Sequence, residues 1–121
     1  MQSNQSSRAF LTLVTNMQHN VERFRDCVLA TLTDAWRCVS IEPYPKFEHS
    51  YKIELELLLT ESNPSSRTLW AIAATNTLAS PWLVYYDDDK QTIELIFNKT
   101  HQTRFADEAL SAIVWAHFQF E

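Results

Sequence analysis

The sequence contains no glycine among its 121 residues. Glycine lets the backbone take positive φ angles or approach a ligand closely. Gly-rich phosphate loops, dinucleotide-binding fingerprints and the nucleophile elbow of α/β-hydrolases all depend on it. These sites are therefore excluded from the chain, and its turns must rely on Asn, Asp, Ser and Pro.

Cysteine is also scarce, because the sequence has only Cys27 and Cys38. Neither belongs to a CxxC motif, and no pair of histidines has the spacing of zinc ligands on a helix. In a chain long enough for a full hydrophobic core, two such cysteines indicate buried free thiols in a reducing compartment. We therefore expect no metal site and no cofactor.

Long apolar runs and basic clusters are missing as well. No apolar run approaches the roughly 18 residues of a membrane-spanning helix, and the first residues lack the pattern of a signal peptide. The ten lysines and arginines are scattered, and the net charge is −5. The missing apolar segments predict a cytoplasmic protein without membrane contact. Because nucleic-acid binders need a clustered basic surface, nucleic acid is a disfavoured partner.

Length and composition predict one folded domain. The chain is 45% hydrophobic and 21% charged, which is typical of a globular protein. The polar residues 1–6 are predicted to be a disordered tail, and residues 7–121 a single α+β domain.

The first third of the chain shows helical spacing. Between residues 7 and 35, apolar residues recur at steps of three and four, which predicts one long helix. The alternative is a break near His19 and Asn20. Such a helix exceeds the width of a small domain and favours packing against a second copy. The predicted dimer contacts are Val14, Met17, Val21 and Phe24.

The rest of the chain alternates in period two until residue 98 and then returns to helical spacing. Strands are predicted over 36–41, 51–60, 68–75, 82–86 and 92–98, and a helix over 104–118. Segment 68–75 is apolar on both faces, so a buried helical turn is its alternative. The predicted fold is α+β, with a long N-terminal helix, a four- to five-stranded antiparallel sheet and a C-terminal helix in a two-layer sandwich.

Few residues suggest chemistry. Asp87, Asp88 and Asp89 offer oxygen ligands for a cation, but such a run is more typical of a hairpin turn. Glu48 and His49 are consecutive, and consecutive strand residues point to opposite faces. No catalytic residue is therefore predicted.

Aromatic residues carry the strongest functional signal, because tryptophan and tyrosine are enriched at interfaces and in ligand pockets. The chain has four of each. Segment 82–86 is apolar on both faces, so one face needs cover from a partner or a cavity. The candidate ligand- or partner-binding residues are Trp36, Trp70, Trp82, Tyr85 and Tyr86.

Three functions follow from these patterns. The leading hypothesis is a non-enzymatic homodimer that holds a protein partner on its apolar aromatic surface. The second is a protein that binds an apolar small molecule, or a cofactor-free enzyme, with a pocket lined by Trp70, Trp82 and Tyr86. The third is a DNA-binding regulator in which a broken first helix forms a helix-turn-helix, and the acidic charge makes it the least favoured.

In its predicted layout the chain resembles the small acidic dimeric chaperones of type III secretion, on the basis of length, acidity and element order. Those proteins begin with a helix, continue with a twisted sheet and end with a helix. The chain is also similar in style to the short reading frames of bacterial mobile elements. No individual residue carries either resemblance.

Overall fold

The computed structural model describes residues 7–17, 20–32, 35–46, 48–59, 63–89 and 92–120. Within them the chain forms an α+β fold with two helices, a six-stranded antiparallel sheet and a two-stranded ladder. The elements in chain order are β1 Ser7–Thr15, α1 Val21–Leu32, β2 Arg37–Pro43, β3 Tyr51–Leu59, α2 Pro64–Asn76, β4 Ala79–Ser80, β5 Leu83–Asp87, β6 Thr92–Asn98, β7 Arg104–Phe105, a 3-10 helix Glu108–Ala112 and β8 Ile113–Phe120.

The sheet has the strand order β2-β3-β1-β8-β6-β5. Its two central strands, β1 and β8, come from opposite ends of the chain, with Leu11 opposite Phe118. The edges are β2 and β5, and the short ladder joins β4 to β7. The centre of the sheet is therefore built from the most distant parts of the sequence.

One face of the sheet carries the core. Alternate residues of the four inner strands are buried, and helices α1 and α2 contribute to the same cluster. Full burial of a large aliphatic or aromatic side chain stabilises the fold by about 1.5–3 kcal/mol. The core includes Ala9, Leu11, Leu13, Phe24, Val28, Leu32, Ile53, Leu55, Leu57, Ala71, Ile93, Leu95, Phe97, Ala116 and Phe118.

The opposite face, called the open face below, carries polar and aromatic side chains. Residues that are directly opposite on neighbouring strands share a face, which defines its members from the register. They include Arg37, Ser40, Glu54, Glu56, Phe10, Thr12, His117, Gln119, Glu94, Ile96, Leu83 and Tyr85.

The predicted long N-terminal helix is wrong, because residues 7–15 form strand β1. Ala9, Leu11 and Leu13 alternate with residues of the open face. The apolar residues here are dense enough to satisfy both periods, and pairing with β3 and β8 selects the strand. The helix begins only after Asn20, which has a φ of 59°. The predicted break therefore coincides with the start of α1, although His19 lies outside the described residues.

The predicted strand at 68–75 is also wrong, and its helical alternative holds, because α2 spans Pro64–Asn76. The side chain of Asn63 accepts a hydrogen bond from the backbone N–H of Ser66 at 3.1 Å. Asn at the N-cap followed by Pro in the first turn is a helix-start signal. This local signal outweighs the apolar pattern.

The predicted C-terminal helix at 104–118 is wrong as well. Asp107 caps only the short 3-10 helix, accepting a hydrogen bond from the N–H of Ala109 at 2.9 Å. Residues Ile113–Phe120 form β8, which lies between β1 and β6. β-branched and aromatic residues suit this buried strand.

The middle of the chain agrees better with prediction. The strands expected at 36–41, 51–60, 82–86 and 92–98 correspond to β2, β3, β5 and β6, and the antiparallel α+β class is confirmed. The sheet nevertheless has six strands instead of four or five. The predicted disordered tail, residues 1–6, lies outside the described residues.

The corrected element order changes two functional expectations. Because β1 is the first described element and β8 the last, the described residues do not show the helix-strand-helix order behind the resemblance to secretion chaperones. Strand β1 occupies the place of the first helix of the predicted helix-turn-helix, so that motif does not form there. Among the described residues, no helix is long and apolar enough to span a membrane.

Candidate functional site

The predicted dimer contacts do not form a helical stripe. Val14 lies on β1 and is buried, and Phe24 lies on α1 inside the core. Met17 and Val21 are partly buried and pack against the same core. Since these side chains stabilise the single chain, they offer little free surface to a second copy.

Two of the predicted binding tryptophans also pack within the chain. Trp36 is buried and stacks on Trp70, with ring centroids 6.1 Å apart and an interplanar angle of 14°. Trp70 packs against Phe118 at 5.9 Å and Phe120 at 6.2 Å. Aromatic pairs of this kind contribute about 0.5–1.5 kcal/mol beyond their buried area. This cluster therefore serves the core.

Trp82 anchors the chain at the start of β5. Its ring lies 5.4 Å from that of Phe97, and its indole N–H donates a hydrogen bond to the carbonyl of Ala79 at 2.8 Å. Trp70 and Tyr86 line separate hollows of about 240 and 690 Å³. The structure thus distributes these three aromatic residues over different surroundings, where the sequence predicted one shared pocket.

Tyr85 and Tyr86, by contrast, lie on the most exposed strand of the sheet. All five residues of β5 are exposed, and the exposed fractions are 55% for Leu83, 50% for Val84, 51% for Tyr85 and 57% for Tyr86. Four consecutive large apolar residues on a sheet edge form an unusual surface, because natural proteins blunt such edges.

The register explains why both sides of β5 are exposed. Leu83 and Tyr85 are opposite Ile96 and Glu94 of β6 and belong to the open face. Val84 and Tyr86 point toward the side that carries the helices, yet about half of each side chain remains accessible. Both sides of this edge strand therefore present apolar surface to solvent.

Acidic side chains surround the C-terminal end of β5. Tyr85 and Tyr86 line the larger hollow. Its other walls are Asp87, Asp88, Asp89, Thr92, Ile93, Glu94, Gln119 and Phe120. The backbone N–H of Asp89 donates to the carboxylate of Asp87 at 3.0 Å, as expected for the predicted turn. No group of metal-ligating side chains occurs in the described ranges.

The open face contains one histidine–carboxylate pair that the sequence did not reveal. His117 Nε2 lies 2.8 Å from Glu94 Oε2, and Trp115 stacks on the imidazole with centroids 6.0 Å apart. His117 falls within the helix predicted over 104–118, and only the register between β6 and β8 brings it to Glu94.

A histidine oriented by a carboxylate is half of a nucleophilic site. Thr12 is directly opposite His117 on β1. Within the part of the chain that is described, however, no hydroxyl or thiol is hydrogen-bonded to this ring.

Among the described residues, the β5 edge is therefore our candidate binding surface. It combines four exposed apolar residues with an acidic border.

Comparison of the sequence with protein-family models gives no match, and neither the curated proteins nor the solved structures show a significant similarity.

Proposed function

We propose that the chain is a non-enzymatic binding protein that acts through β5, where an extended strand of a partner adds to the sheet. The exposure of Leu83, Val84, Tyr85 and Tyr86 on an edge strand supports this proposal. An edge strand presents a row of backbone N–H and C=O groups that a further strand can pair. Strand addition gives affinity through the backbone and specificity through alternate side chains.

The alternation of β5 defines what an added strand would contact. On one side it would lie over Leu83 and Tyr85, and on the other over Val84 and Tyr86. Each favourable cross-strand pair contributes about 0.2–1 kcal/mol, and apolar burial adds about 25 cal/mol per Å². A complementary strand therefore needs apolar residues on both of its faces.

A second copy of the chain is one candidate for this strand, as in the homodimer predicted from the sequence. In an antiparallel pairing about a two-fold axis at Tyr85, Val84 of each copy would be opposite Tyr86 of the other. Such an isologous contact is self-complementary. It would also keep the two Asp87–Asp89 runs at opposite ends of the joined strands.

Sedimentation equilibrium over a concentration series tests the role of this edge. We expect the wild-type chain of 14.1 kDa to self-associate weakly, and Tyr85→Lys to remain monomeric because its ammonium would be buried at the centre of the contact. Val39→Lys is the matched control, since Val39 is a 52% exposed apolar residue on the other edge, β2.

Self-association of Tyr85→Lys as strong as that of the wild type would contradict pairing through β5. Self-association that is lost in Val39→Lys alone would place the contact on β2 instead.

A further inference from the structure

We infer that the strand which adds to β5 belongs to a basic extended segment of another protein, with apolar residues at its centre and lysine or arginine beside them. This inference rests on the proposed function, because it names the partner of the same edge. The charges around β5 and the shortness of this strand support it.

The border of β5 is acidic. Three exposed aspartates, Asp87, Asp88 and Asp89, directly follow Tyr86. The next residue in the sequence is Lys90, and the net charge of residues 87–90 remains negative. On the neighbouring strand, Glu94 lies opposite Tyr85, and its side chain is 51% exposed.

Basic groups also occur near this hollow. Arg67 lies over the Phe120 ring at 4.9 Å, and His117 is paired with Glu94. The whole chain has a net charge of −5. The long-range field therefore favours a cationic partner.

The geometry of strand addition brings a basic side chain to these carboxylates. Neighbouring strands lie about 4.8 Å apart, and successive residues rise by about 3.3 Å. A residue of the added strand opposite Asp87, or one position beyond it, would therefore hold its ammonium or guanidinium group near Asp88 and Asp89. The rings of Tyr85 and Tyr86 offer additional cation–π contacts.

The same observations argue against a second copy as the main occupant. In the two-fold pairing about Tyr85, Leu83 of a second copy would be opposite Asp87, so a second copy, whose net charge is also −5, would bring no basic side chain to the acidic border. Strand β5 has five residues, whereas a stable protein interface uses about 20–30 residues a side. An edge of this length therefore suits a short segment better than a permanent dimer.

Fluorescence anisotropy with labelled synthetic peptides tests the inference on the full chain. Three peptides share one centre with apolar residues on both strand faces, and their flanking residues are lysine, glutamine or glutamate. We expect the lysine peptide to bind at least about tenfold more tightly than the glutamine peptide at low ionic strength, and the glutamate peptide to bind most weakly. The difference should shrink at high salt because salt screens exposed charges.

Two double variants separate local from overall charge. Asp88→Asn with Asp89→Asn should bring the affinity for the lysine peptide close to that for the glutamine peptide, while Asp87 keeps its turn contact. Glu22→Gln with Glu48→Gln removes the same charge from exposed positions on α1 and a loop, and should change affinity less than about twofold. Circular dichroism verifies that both variants are folded.

Three other results would overturn either the basic partner or the proposed function. Equal affinity for the lysine and glutamine peptides would overturn the basic partner but retain strand addition at β5. A wild-type dimer that no peptide displaces would identify a second copy as the occupant and overturn the inference. A monomer that binds none of the peptides would overturn the proposed function itself.

Discussion

The two edges of the sheet are built in contrasting ways. On β2, Arg37 forms an ion pair with Glu56 at 2.7 Å, and the Ser40 hydroxyl donates to Glu54 at 3.0 Å. The strand has a register shift between Cys38 and Ser40 and ends at Pro43. Charge, an irregular register and proline all hinder the addition of another strand.

Strand β5 has no register shift and no proline, and its single charged residue, Asp87, lies at its C-terminal end. Its register with β6 is uninterrupted, and four of its five residues are large and apolar. An unprotected edge exposes a soluble protein to unwanted association. One edge of the sheet is protected and the other is not, and this contrast is the reason for proposing β5 as the binding edge.

The largest expected effect separates the centre of the sheet from this edge. Phe118 is fully buried on β8, so Phe118→Ala should lower the free energy of unfolding by about 3–5 kcal/mol. Tyr85→Ala, on the exposed edge, should change it by no more than about 0.5 kcal/mol. Urea denaturation of both variants measures the difference, and a comparable loss in Tyr85→Ala would mean that β5 serves the stability of the chain.

A smaller effect tests the protection of β2. Glu56 has a side chain only 12% exposed and accepts hydrogen bonds from Arg37 and Arg8, so Glu56→Gln should cost about 1 kcal/mol of stability. The control is Glu42→Gln, an exposed carboxylate on β2 itself. An unchanged urea midpoint in Glu56→Gln would show that the ion pair does not stabilise this edge.

The smallest effect on stability is expected at Glu94, beside β5. Its side chain is half exposed and paired with His117, and exposed pairs contribute at most about 1 kcal/mol. Glu94→Gln should therefore change the free energy of unfolding by about 0.5 kcal/mol or less, yet weaken binding of the lysine peptide. If Glu94→Gln lost as much stability as Glu56→Gln and still bound the peptide normally, Glu94 would serve stability and not binding, as Glu56 does.

The sequence alone was sufficient where partners are close along the chain. The β5–β6 hairpin joins neighbouring alternating segments through an aspartate turn, and it was predicted with nearly correct bounds. The sequence also showed that both sides of β5 are apolar. This pattern is the reason why Tyr85 and Tyr86 were predicted as binding residues. The start of α2 was readable in principle, because Asn63 and Pro64 are a local signal.

Only the tertiary structure decided the rest. Strands β1 and β8 have apolar patterns compatible with a helix, and each becomes a strand because the other, more than ninety residues away, pairs with it. The same packing buries Trp36 and leaves Tyr85 in solvent. Composition and periodicity describe which side chains prefer burial, but strand order determines which of them are covered, because an edge strand has a neighbour on one side only.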